Sequence, residues 1–531
     1  MKRKLNTRDI AHLRAMSMGA EDVEKQLNLF KQGSRYRELV RPATVDDGII
    51  RLTQRDIDQC TQMYESRHDL DVWKFVPASG AASRMFKDLS YLYRHYDVLD
   101  QRVLNRLESA GRTQAASLKQ VVSGLAGGGF AFQGALQTVM EQAGESLSQT
   151  LKGQQYHRLL HYLLTPAGLN LANLPKALIP FHQYKEGSRT PLAEHVAEGL
   201  AYARKQGRVH LMFTVLAAHK EMINSYAHKA AKRLCPADAA CHIHLSCQSP
   251  ATSTVALTTD NSLARDAKGE LILRPGGHGA LLGNLNAIDA DIIFIKNIDN
   301  VTFAASNGPL IGYKKALAGY LLQVQKQVFA ALTLLKKRNS TSAMDRAVSL
   351  VRDFACFSDL ATLTGSSEDR RQQLIKQLQR PIRVCGVVPN QDEPGGGPFW
   401  VRGPGGLESL QIVEKAEINT QDEQQRSILQ QASHFNPVDL VCAVRDMQGR
   451  KYDLRNYCDN SAYMITRKFA AGVPLLALEW PGLWNGAMAG WNTLFVEVPL
   501  DTFHPVKEVT DLLRPGHCGP SQGTRSMETI T

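Results

Sequence analysis

Apolar residues return at helical spacing through the first part of the chain. Between Ile10 and Phe30 they recur every three or four residues, which is typical of an amphipathic helix. A second helix is predicted from about Thr53, whose hydroxyl can cap it, through Tyr64. Residues 1–70 are therefore predicted to form an N-terminal helical segment.

From residue 71 onward, short apolar runs alternate with amphipathic stretches. The run VWKFVPA predicts a strand, SGAAS a tight loop and RMFKDLSYLY a helix, and residues 88–172 continue in a mostly helical pattern. Later runs such as VHLMFTVL and IIFI predict further strands, and one long helix is expected from Gly312. Strands that alternate with helices indicate an α/β fold with a mostly parallel sheet.

These patterns divide the chain into four regions. Residues 71–379 are predicted to form a Rossmann-like α/β core with a mixed, mostly parallel sheet, interrupted by the helical insertion 88–172. Residues 380–514 are predicted to form a C-terminal α+β region that contributes to the substrate site. Residues 515–531 are predicted to be a flexible tail.

Composition narrows the class of protein. The chain has 531 residues, of which 43% are hydrophobic and 21% charged, as in ordinary soluble globular proteins. No apolar run approaches the roughly 18 residues that span a bilayer, and the basic start lacks the apolar stretch of a secretory signal. We therefore expect a cytoplasmic protein without a membrane partner, whose nine scattered cysteines are reduced thiols.

The net charge of +11 allows several kinds of partner. Lysine and arginine are spread along the chain rather than clustered in runs, which disfavours nucleic acid as a partner. Small polyanions such as triphosphates are another possible kind of partner. The alternative is that the positive charge has no specific partner. The sequence does not indicate an oligomeric state.

A loop of small residues follows the first predicted strand of the core. It consists of Ser79, Gly80, Ala81, Ala82 and Ser83. Phosphates bind where backbone N–H groups converge at a helix N-terminus with little side-chain bulk, and Arg84 and Lys87 add positive charge on one predicted helix face. The alternative is a tight strand–helix turn with two solvated cations.

Two other positions carry candidate chemistry. Lys176 follows a proline and opens a loop that leads into a capped helix, although alone it is an ordinary loop lysine. Asp299 follows the buried run IIFI, and ligands of open α/β sheets gather beyond the carboxyl ends of strands. A lone carboxylate there can hold Mg²⁺ whose other ligands are water and phosphate, or it can simply form a turn with Asn300.

Taken together, these motifs resemble the paired signature of the sugar nucleotidyltransferases. SGAASRM resembles their glycine-rich loop, and PKALIPF followed by TPLAEH resembles their Pro-Lys segment and helix start. Serine and alanine replace the usual first and last glycines, and the helical insertion separates the two halves. The resemblance implies a nucleotidyltransferase core of the GT-A type, with the loop on the triphosphate.

UDP-sugar pyrophosphorylases carry further motifs of this kind. RPGGHGAL and NIDN are similar to their Pro-Gly-His-Gly loop and their Val-Asp-Asn ending, which implies that Gly277 and His278 bind the nucleotide and Asp299 the metal. LALE and FHPVK resemble a segment in which Glu479 would border the sugar and Lys507 would meet the phosphates. An uncharacterised bacterial family that shares RPGGHGAL, IDN and PGLWNGAM is the nearest whole-chain resemblance.

Three further residues have weaker support. Gln248 follows a predicted strand, and its amide can pair with the edge of uracil or else cap a turn. Gly396 lies in EPGGGP, which is either a domain linker or a loop that closes over a sugar. Asn460 lies where pyrophosphorylases often have an asparagine-rich sugar-binding turn.

These inferences predict a Mg²⁺-dependent nucleotidyltransferase that joins a nucleoside triphosphate, with UTP expected, to a sugar 1-phosphate. Arg84, Lys87, Lys176 and Lys507 would act on the phosphates, and Lys176 and Lys507 are predicted to meet in one pocket. Alternatives are a nucleotidyltransferase for CTP or for a non-sugar phosphate acceptor, a glycosyltransferase, and a catalytically silent nucleotide-binding protein. The last is favoured by the altered loop glycines.

Overall fold

The computed structural model describes residues 5–517. Residues 81, 305–306, 338–339, 355, 357–362, 392–394, 404–405 and 471–472 lie outside the described part. Contacts divide the chain into two units. Unit 1 comprises Met1–Phe75, Ser246–Ile295 and Gly312–Leu500, and unit 2 comprises Val76–Leu245, Lys296–Ile311 and Asp501–Thr531.

The helices are numbered in chain order. They are α1 Thr7–Ala15, α2 Ala20–Gln32, α3 Gln54–Ser66, α4 Lys87–His95, α5 Gln101–Ser109, α6 Thr113–Ala126, α7 Gln133–Gln142, α8 Leu147–Lys152, α9 Tyr156–Leu164, α10 Pro191–Tyr202, α11 Lys220–Leu234, α12 Leu282–Ala287, α13 Gly308–Lys337, α14 Thr341–Val351, α15 Ser367–Leu378 and α16 Glu423–Gln430. None of the helices in the described part is long and apolar enough to cross a membrane.

The strands are numbered in the same way. They are β1 Leu39–Pro42, β2 Thr44–Val45, β3 Gly48–Ile50, β4 Val72–Pro77, β5 His182–Tyr184, β6 Gly187–Arg189, β7 Arg208–Val215, β8 Ala240–Cys247, β9 Thr254–Thr258, β10 Leu273–Arg274, β11 Ile292–Lys296, β12 Ile382–Pro389, β13 Gly396–Arg402, β14 Glu408–Glu414, β15 His434–Ala443, β16 Met464–Ala470, β17 Val473–Glu479 and β18 Asn492–Glu497.

A mixed, largely parallel sheet forms the centre of unit 1, as predicted. Its strands lie in the order β2-β3-β18-β12-β15-β11-β4. The pairs β2–β3, β3–β18, β18–β12 and β11–β4 are parallel, and β12–β15 is antiparallel. Every residue of β11 is buried, which agrees with its unbroken apolar run, because central parallel strands are covered on both faces.

The predicted helical N-terminal segment is only partly helical. Helices α1, α2 and α3 are present, but β1, β2 and β3 lie between them. These strands are short, and two of them pair with distant parts of the chain, β1 with β13 and β3 with β18. Local periodicity does not reveal such pairs, since their stability comes from the partner strand.

Unit 2 contains the helical insertion, which is confirmed as α4 to α9. Its helices share one hydrophobic core with apolar residues from the last segment of the unit. Those residues are Val506, Val509 and Leu512. A side-chain carbon at Gly129 would lie 2.8 Å from a methyl carbon of Leu513, so the glycine break between α6 and α7 makes room for this segment. The insertion therefore packs against the chain that carries Lys507.

Candidate functional site

Unit 2 brings together three charged residues that are far apart in the sequence. The ammonium nitrogen of Lys176 lies 3.0 Å from Oδ2 of Asp299, and that of Lys507 lies 3.4 Å from the same oxygen. Lys176 also donates to the carbonyl oxygen of Val506 at 2.8 Å. The predicted meeting of the two lysines is therefore confirmed.

Backbone hydrogen bonds set the register of this cluster. The N–H of Val506 donates to the carbonyl oxygen of Asp299 at 3.1 Å, which places the next residue, Lys507, beside the Asp299 side chain. The Asp511 carboxylate accepts from the N–H of Lys507 at 2.7 Å. The strand end and the C-terminal segment are thus fixed to each other at the residues that carry charge.

The three side chains differ in their access to solvent. Lys176 and Asp299 are 10% and 13% exposed, whereas Lys507 is 47% exposed. Burial alone would raise the pKa of Asp299, but the two ammonium groups outweigh burial and hold the pKa below its ordinary value. The cluster therefore contains an ionised carboxylate and, with both lysines charged, one net positive charge.

The sequence suggested a different reason for the nearness of these lysines. Two ammonium groups repel unless an anion lies between them, and phosphate was the expected anion. In the structure Asp299 supplies the negative charge. The convergence alone therefore does not require a phosphate, although the excess positive charge suits one.

The small-residue loop is only partly available for a phosphate. The N–H of Ala82 donates to the carbonyl oxygen of Leu174 at 3.3 Å, and the carbonyl oxygen of Gly80 accepts from the N–H of Lys176 at 3.2 Å. Ala81 lies outside the described residues, as does the side chain of Ser83. A side-chain carbon at Gly80 would meet no atom within 4 Å, and Ser79 is only partly buried beside it, so open space remains on this side of the loop.

Arg84 and Lys87 do not share one helix, contrary to the prediction. Arg84 ends a short 3-10 turn, and α4 begins only at Lys87 because the two residues between them form a turn. Arg84 is exposed. The Lys87 ammonium lies 3.0 Å from Glu508, and this hydrogen bond raises the pKa of Lys87. Lys87 is therefore linked to the residue that follows Lys507.

Unit 1 brings together Gly277, His278 and Glu479, three of the residues predicted to bind nucleotide and sugar. A side-chain carbon at Gly277, where φ is +74°, would lie 3.1 Å from Oε2 of Glu479. Glu479 also accepts hydrogen bonds from Lys468 and Thr466, each at 2.8 Å. Burial would raise the pKa of Glu479, but the hydrogen bonds from Lys468 and Thr466 lower it, and the net shift is downward. The carboxylate therefore stays ionised.

Close packing explains why the GGHG loop is rich in glycine. A side-chain carbon would lie 2.3 Å from the ring of Trp480 at Gly276 and 2.0 Å from the carbonyl oxygen of Pro481 at Gly279. His278 stacks on Trp484 with ring centres 4.2 Å apart, and its Nδ1 accepts from the N–H of Leu483 at 3.0 Å. The loop is thus held against the segment EWPGLWNG.

Two acidic residues of this cluster were missed by the sequence analysis. Glu417 is buried, and it accepts hydrogen bonds from Asn485 at 3.0 Å and from the N–H of Glu414 at 2.9 Å. Burial raises the pKa of Glu417 to about 7. Glu414 itself lies 3.7 Å from Nε2 of His278. Spacing gave no signal for either residue, because both lie near a strand end where solvated glutamates are common.

The three weaker candidates make other contacts, although Gly396 lies beside Glu414. The amide nitrogen of Gln248 donates to Thr252 at 2.9 Å, as expected for a turn-capping residue. Gly396 lies in β13, paired with Glu414 and Asn436, so the prediction that it belongs to a free loop is wrong. Asn460 is exposed in a turn. The nucleotide-binding role of Gln248 and the sugar-binding roles of Gly396 and Asn460 stay predictions.

A chain of buried polar side chains in unit 2 was also missed. Oε1 of Glu194 lies 2.8 Å from Nδ1 of His182 and accepts from the Tyr184 hydroxyl at 2.8 Å. Nε2 of His182 lies 2.9 Å from Nδ1 of His517. Burial, with smaller contributions from the neighbouring histidines, lowers the pKa of His517 to about 3. His517 is therefore neutral and ties the C-terminal segment to α10 and β5.

The charged residues do not form a preassembled metal centre. Within the described part of the chain, no group of three or more His, Cys, Asp or Glu side chains could hold a metal ion. The described cysteines are free thiols. A divalent cation at Asp299 would thus have fewer than three such ligands among the described residues.

Comparison with known structures gives similarities to UDP-sugar pyrophosphorylases. A mutant UDP-glucose pyrophosphorylase from Leishmania major in complex with UDP-Glc is 12% identical with a TM-score of 0.42, and the match covers 96% of this chain and 80% of that chain. The UDP-N-acetylglucosamine pyrophosphorylase from Trypanosoma brucei in complex with an inhibitor is 12% identical with a TM-score of 0.44, covering 95% and 80%. Similarities of this size do not decide the activity of this chain.

No curated protein matches the chain. A family model described as a domain of unknown function, DUF4301, matches residues 6–518. That range is nearly the whole sequence. The chain therefore belongs to the DUF4301 family.

Proposed function

We propose that this protein is a nucleotidyltransferase that joins a nucleoside triphosphate, with UTP expected, to a sugar 1-phosphate. The products are a nucleotide sugar and pyrophosphate. The observation that supports this proposal is the convergence of Lys176 and Lys507 on Asp299 beyond the end of β11. The sequence resemblance predicted these three residues as phosphate and metal contacts.

The reaction is an in-line displacement at phosphorus. An oxygen of the sugar 1-phosphate attacks the α-phosphorus, the bond from that phosphorus to the oxygen bridging to the β-phosphate breaks, and pyrophosphate leaves. No residue needs to form a covalent bond, because such transfers depend on positioning and charge neutralisation. A cluster with one net positive charge, in which the Lys507 side chain is half-exposed to solvent, is suited to both.

The two lysines are suited to different roles. Lys507 makes a long contact of 3.4 Å to Asp299 and is half-exposed, so its ammonium group can turn toward a phosphate. Lys176 is nearly buried and is held by Val506 as well as Asp299, so it keeps the carboxylate in place. We assign Lys507 to direct phosphate contact and Lys176 to a fixed positive charge behind it.

The site fits Mg²⁺ only as an ion that arrives with phosphate. Asp299 is the residue that would hold it, and Mg²⁺ commonly combines one or two carboxylates with substrate phosphates and water. When bound, the ion would neutralise charge on the phosphates. Because Oδ2 of Asp299 already contacts two ammonium groups, we expect free Mg²⁺ to bind weakly in the absence of a triphosphate.

The remaining assignments extend this proposal. Arg84 is exposed and Lys87 reaches Glu508, next to Lys507, so both are proposed to steady the triphosphate beside the small-residue loop. In unit 1, Gly277 and His278 are proposed to contact the nucleotide and Glu479 the sugar. The proximity of Gly277 to Glu479 supports a shared role for these residues.

A pyrophosphate-release screen tests the proposal. The four nucleoside triphosphates are each combined with a panel of sugar 1-phosphates, with and without Mg²⁺. We expect release that requires the triphosphate, the sugar phosphate and Mg²⁺ together. Release with CTP or with a non-sugar acceptor would support that alternative nucleotidyltransferase. Triphosphate binding without release under any combination would contradict the proposed activity and support a silent nucleotide-binding protein.

A further inference from the structure

A large cavity in unit 1 is not accounted for by the proposed reaction. Its volume is about 750 Å³, within the range of roughly 300–1,000 Å³ typical of small-molecule sites. The residues that matter for its chemistry are Arg380, Lys376, Gln377, Asn456, Tyr457 and Trp491. None of the residues assigned above to phosphate, nucleotide or sugar lines it.

The cavity lies at the end of the sheet opposite to the usual ligand position. Asn492, the first residue of β18, pairs in register with Ile382, the first residue of β12, and both these residues lie at the amino ends of parallel strands. Asn492 lines the cavity. Substrates of open α/β sheets gather beyond the carboxyl ends of strands. The cavity therefore suits a second ligand better than the substrate of this sheet.

The cavity has more positive than negative charge. Four cationic and two acidic side chains line it. Arg37 pairs with Asp459 at 2.5 Å, and Arg402 pairs with Glu38 at 2.6 Å. These pairs neutralise two of the four cations. The other two have no carboxylate partner in the described structure.

Arg380 and Lys376 are the cations that remain. Neither makes an ion pair with any residue in the described part of the chain. Nε of Arg380 donates to the carbonyl oxygen of Lys376 at 3.2 Å, which caps the end of α15 but uses only one edge of the guanidinium. Burial lowers the pKa of Arg380, since its charge is partly desolvated without a carboxylate to compensate.

Polar groups suited to a hydroxylated ligand line the same cavity. Trp491 is buried, and its indole N–H has no acceptor among the described residues. Asn456 and Gln377 line the cavity, and their side-chain amides can donate and accept hydrogen bonds. An acceptor entering beside Trp491 would satisfy a donor that otherwise costs stability.

We propose that this cavity binds a phosphorylated small molecule, with its phosphate on Arg380 and Lys376 and its hydroxyl groups on the amides. A phosphate dianion can neutralise both cations, and the guanidinium fork matches two phosphate oxygens. The ligand is an organic phosphate distinct from the substrates of the proposed reaction. This inference does not depend on that reaction.

Calorimetric titration of the full chain with glucose 6-phosphate tests the inference. This probe carries a phosphate and hydroxyl groups but lacks the 1-phosphate of the proposed substrate. We expect saturable binding that glucose alone does not reproduce. Arg380→Gln should weaken it at least tenfold, whereas Arg450→Gln, which changes an exposed arginine of the same unit, and Asp299→Asn should leave it unchanged.

Lys376→Gln covers the case in which Arg380→Gln does not fold. Lys376 is exposed, so this variant should keep the wild-type melting temperature and still bind glucose 6-phosphate several-fold more weakly. Three results would each overturn the inference. They are no binding of glucose 6-phosphate by the wild type at millimolar concentration, equal affinity in folded Arg380→Gln or Lys376→Gln, and loss of binding in Asp299→Asn that is still folded.

Discussion

One oxygen of Asp299 contacts two ammonium groups in a setting that is almost closed to solvent. Such a carboxylate serves stability as well as any chemistry, because removing it leaves positive charge without compensation. Lys176 depends on it most, since the only other hydrogen bond of its ammonium group in the described structure is to Val506. At this residue, effects on turnover and on folding must therefore be measured together.

Asp299→Asn is expected to abolish Mg²⁺-dependent turnover and to lower the free energy of unfolding by about 3 kcal/mol. From the sequence alone the same change would be expected to spare the fold. Pyrophosphate release and urea unfolding measure the two effects. Asp238→Asn, at a largely exposed carboxylate of the same unit, is the control. Full activity would remove Asp299 from the site, and unchanged stability would contradict the ion-pair account.

Glu417 gives a pH-dependent prediction. In the folded protein its pKa is about 7, whereas an unfolded glutamate has its ordinary value near 4.5. Between these values the folded state binds more protons, so stability falls as the pH rises through this window. Glu417→Gln, which is neutral at every pH, should be more stable than the wild type by about 1–3 kcal/mol near pH 8 and similar to it near pH 4.5.

Chemical unfolding of the two proteins at both pH values measures this difference. Glu423→Gln, at an exposed glutamate of α16, is the control and should show no such pH-dependent gain. A Glu417→Gln variant that is less stable than the wild type near pH 8 would show that the ionised carboxylate is favourable. The inference that burial raises the pKa of Glu417 would then be wrong.

At the level of elements, the C-terminal segment of unit 2 is held at two points. The apolar residues Val506, Val509 and Leu512 pack into the core of the helical insertion. Beyond them, His517 joins His182 and through it Glu194 at the start of α10. Lys507 lies next to the first of these apolar anchors, so its position depends on an insertion whose only residue with predicted chemistry is Lys87, at its start.

The His517 anchor should weaken in acid. Its folded pKa is about 3, whereas the unfolded histidine titrates near 6.5. As the pH falls below 6.5 the unfolded state takes up a proton that the folded state does not, so stability present above that pH is progressively lost. His517→Asn, whose amide can take over the hydrogen bond that Nδ1 makes to His182, should lose a few kcal/mol less stability between about pH 7 and pH 4.

Urea unfolding of wild type and variant across that range measures the slope. His228→Asn, at an exposed histidine of α11, serves as the control and should keep the wild-type slope. Equal slopes in the wild type and His517→Asn would show that His517 is not held neutral by its surroundings.

Local patterns predicted some elements well and others not at all. The insertion α4 to α9 and the capped start of α10 follow from helical spacing and from Thr190, whose side chain accepts from the N–H of Ala193. Strand β1 pairs with a strand more than 350 positions away, and β3 pairs with one more than 440 positions away. No local pattern therefore marks either strand. Gly396 looked like part of a flexible loop, but its lack of a side chain serves close packing on Ile412 within a sheet.

In the whole molecule, the predicted phosphate residues and the GGHG loop belong to different units. Arg84, Lys87, Lys176, Asp299 and Lys507 lie in unit 2, and Gly277, His278 and Glu479 lie in unit 1. Motif resemblance identified both groups, because each motif is short and contiguous. It did not identify Glu417 or the cavity at Arg380, since these arise from residues that only the fold brings together.

The proposed transfer can be followed by the rate at which label moves from α-labelled UTP to glucose 1-phosphate, in wild type and in Lys507→Gln. Lys119→Gln is a matched control, because Lys119 is 46% exposed and pairs with Glu108 at 2.8 Å, much as Lys507 pairs with Asp299. We predict Mg²⁺-dependent labelled nucleotide sugar from the wild type and the control. Lys507→Gln should be at least roughly 100-fold slower, with an unchanged melting temperature. Transfer at the wild-type rate in Lys507→Gln would contradict the phosphate role of Lys507. No transfer by the wild type with any triphosphate and sugar 1-phosphate would contradict the proposed activity.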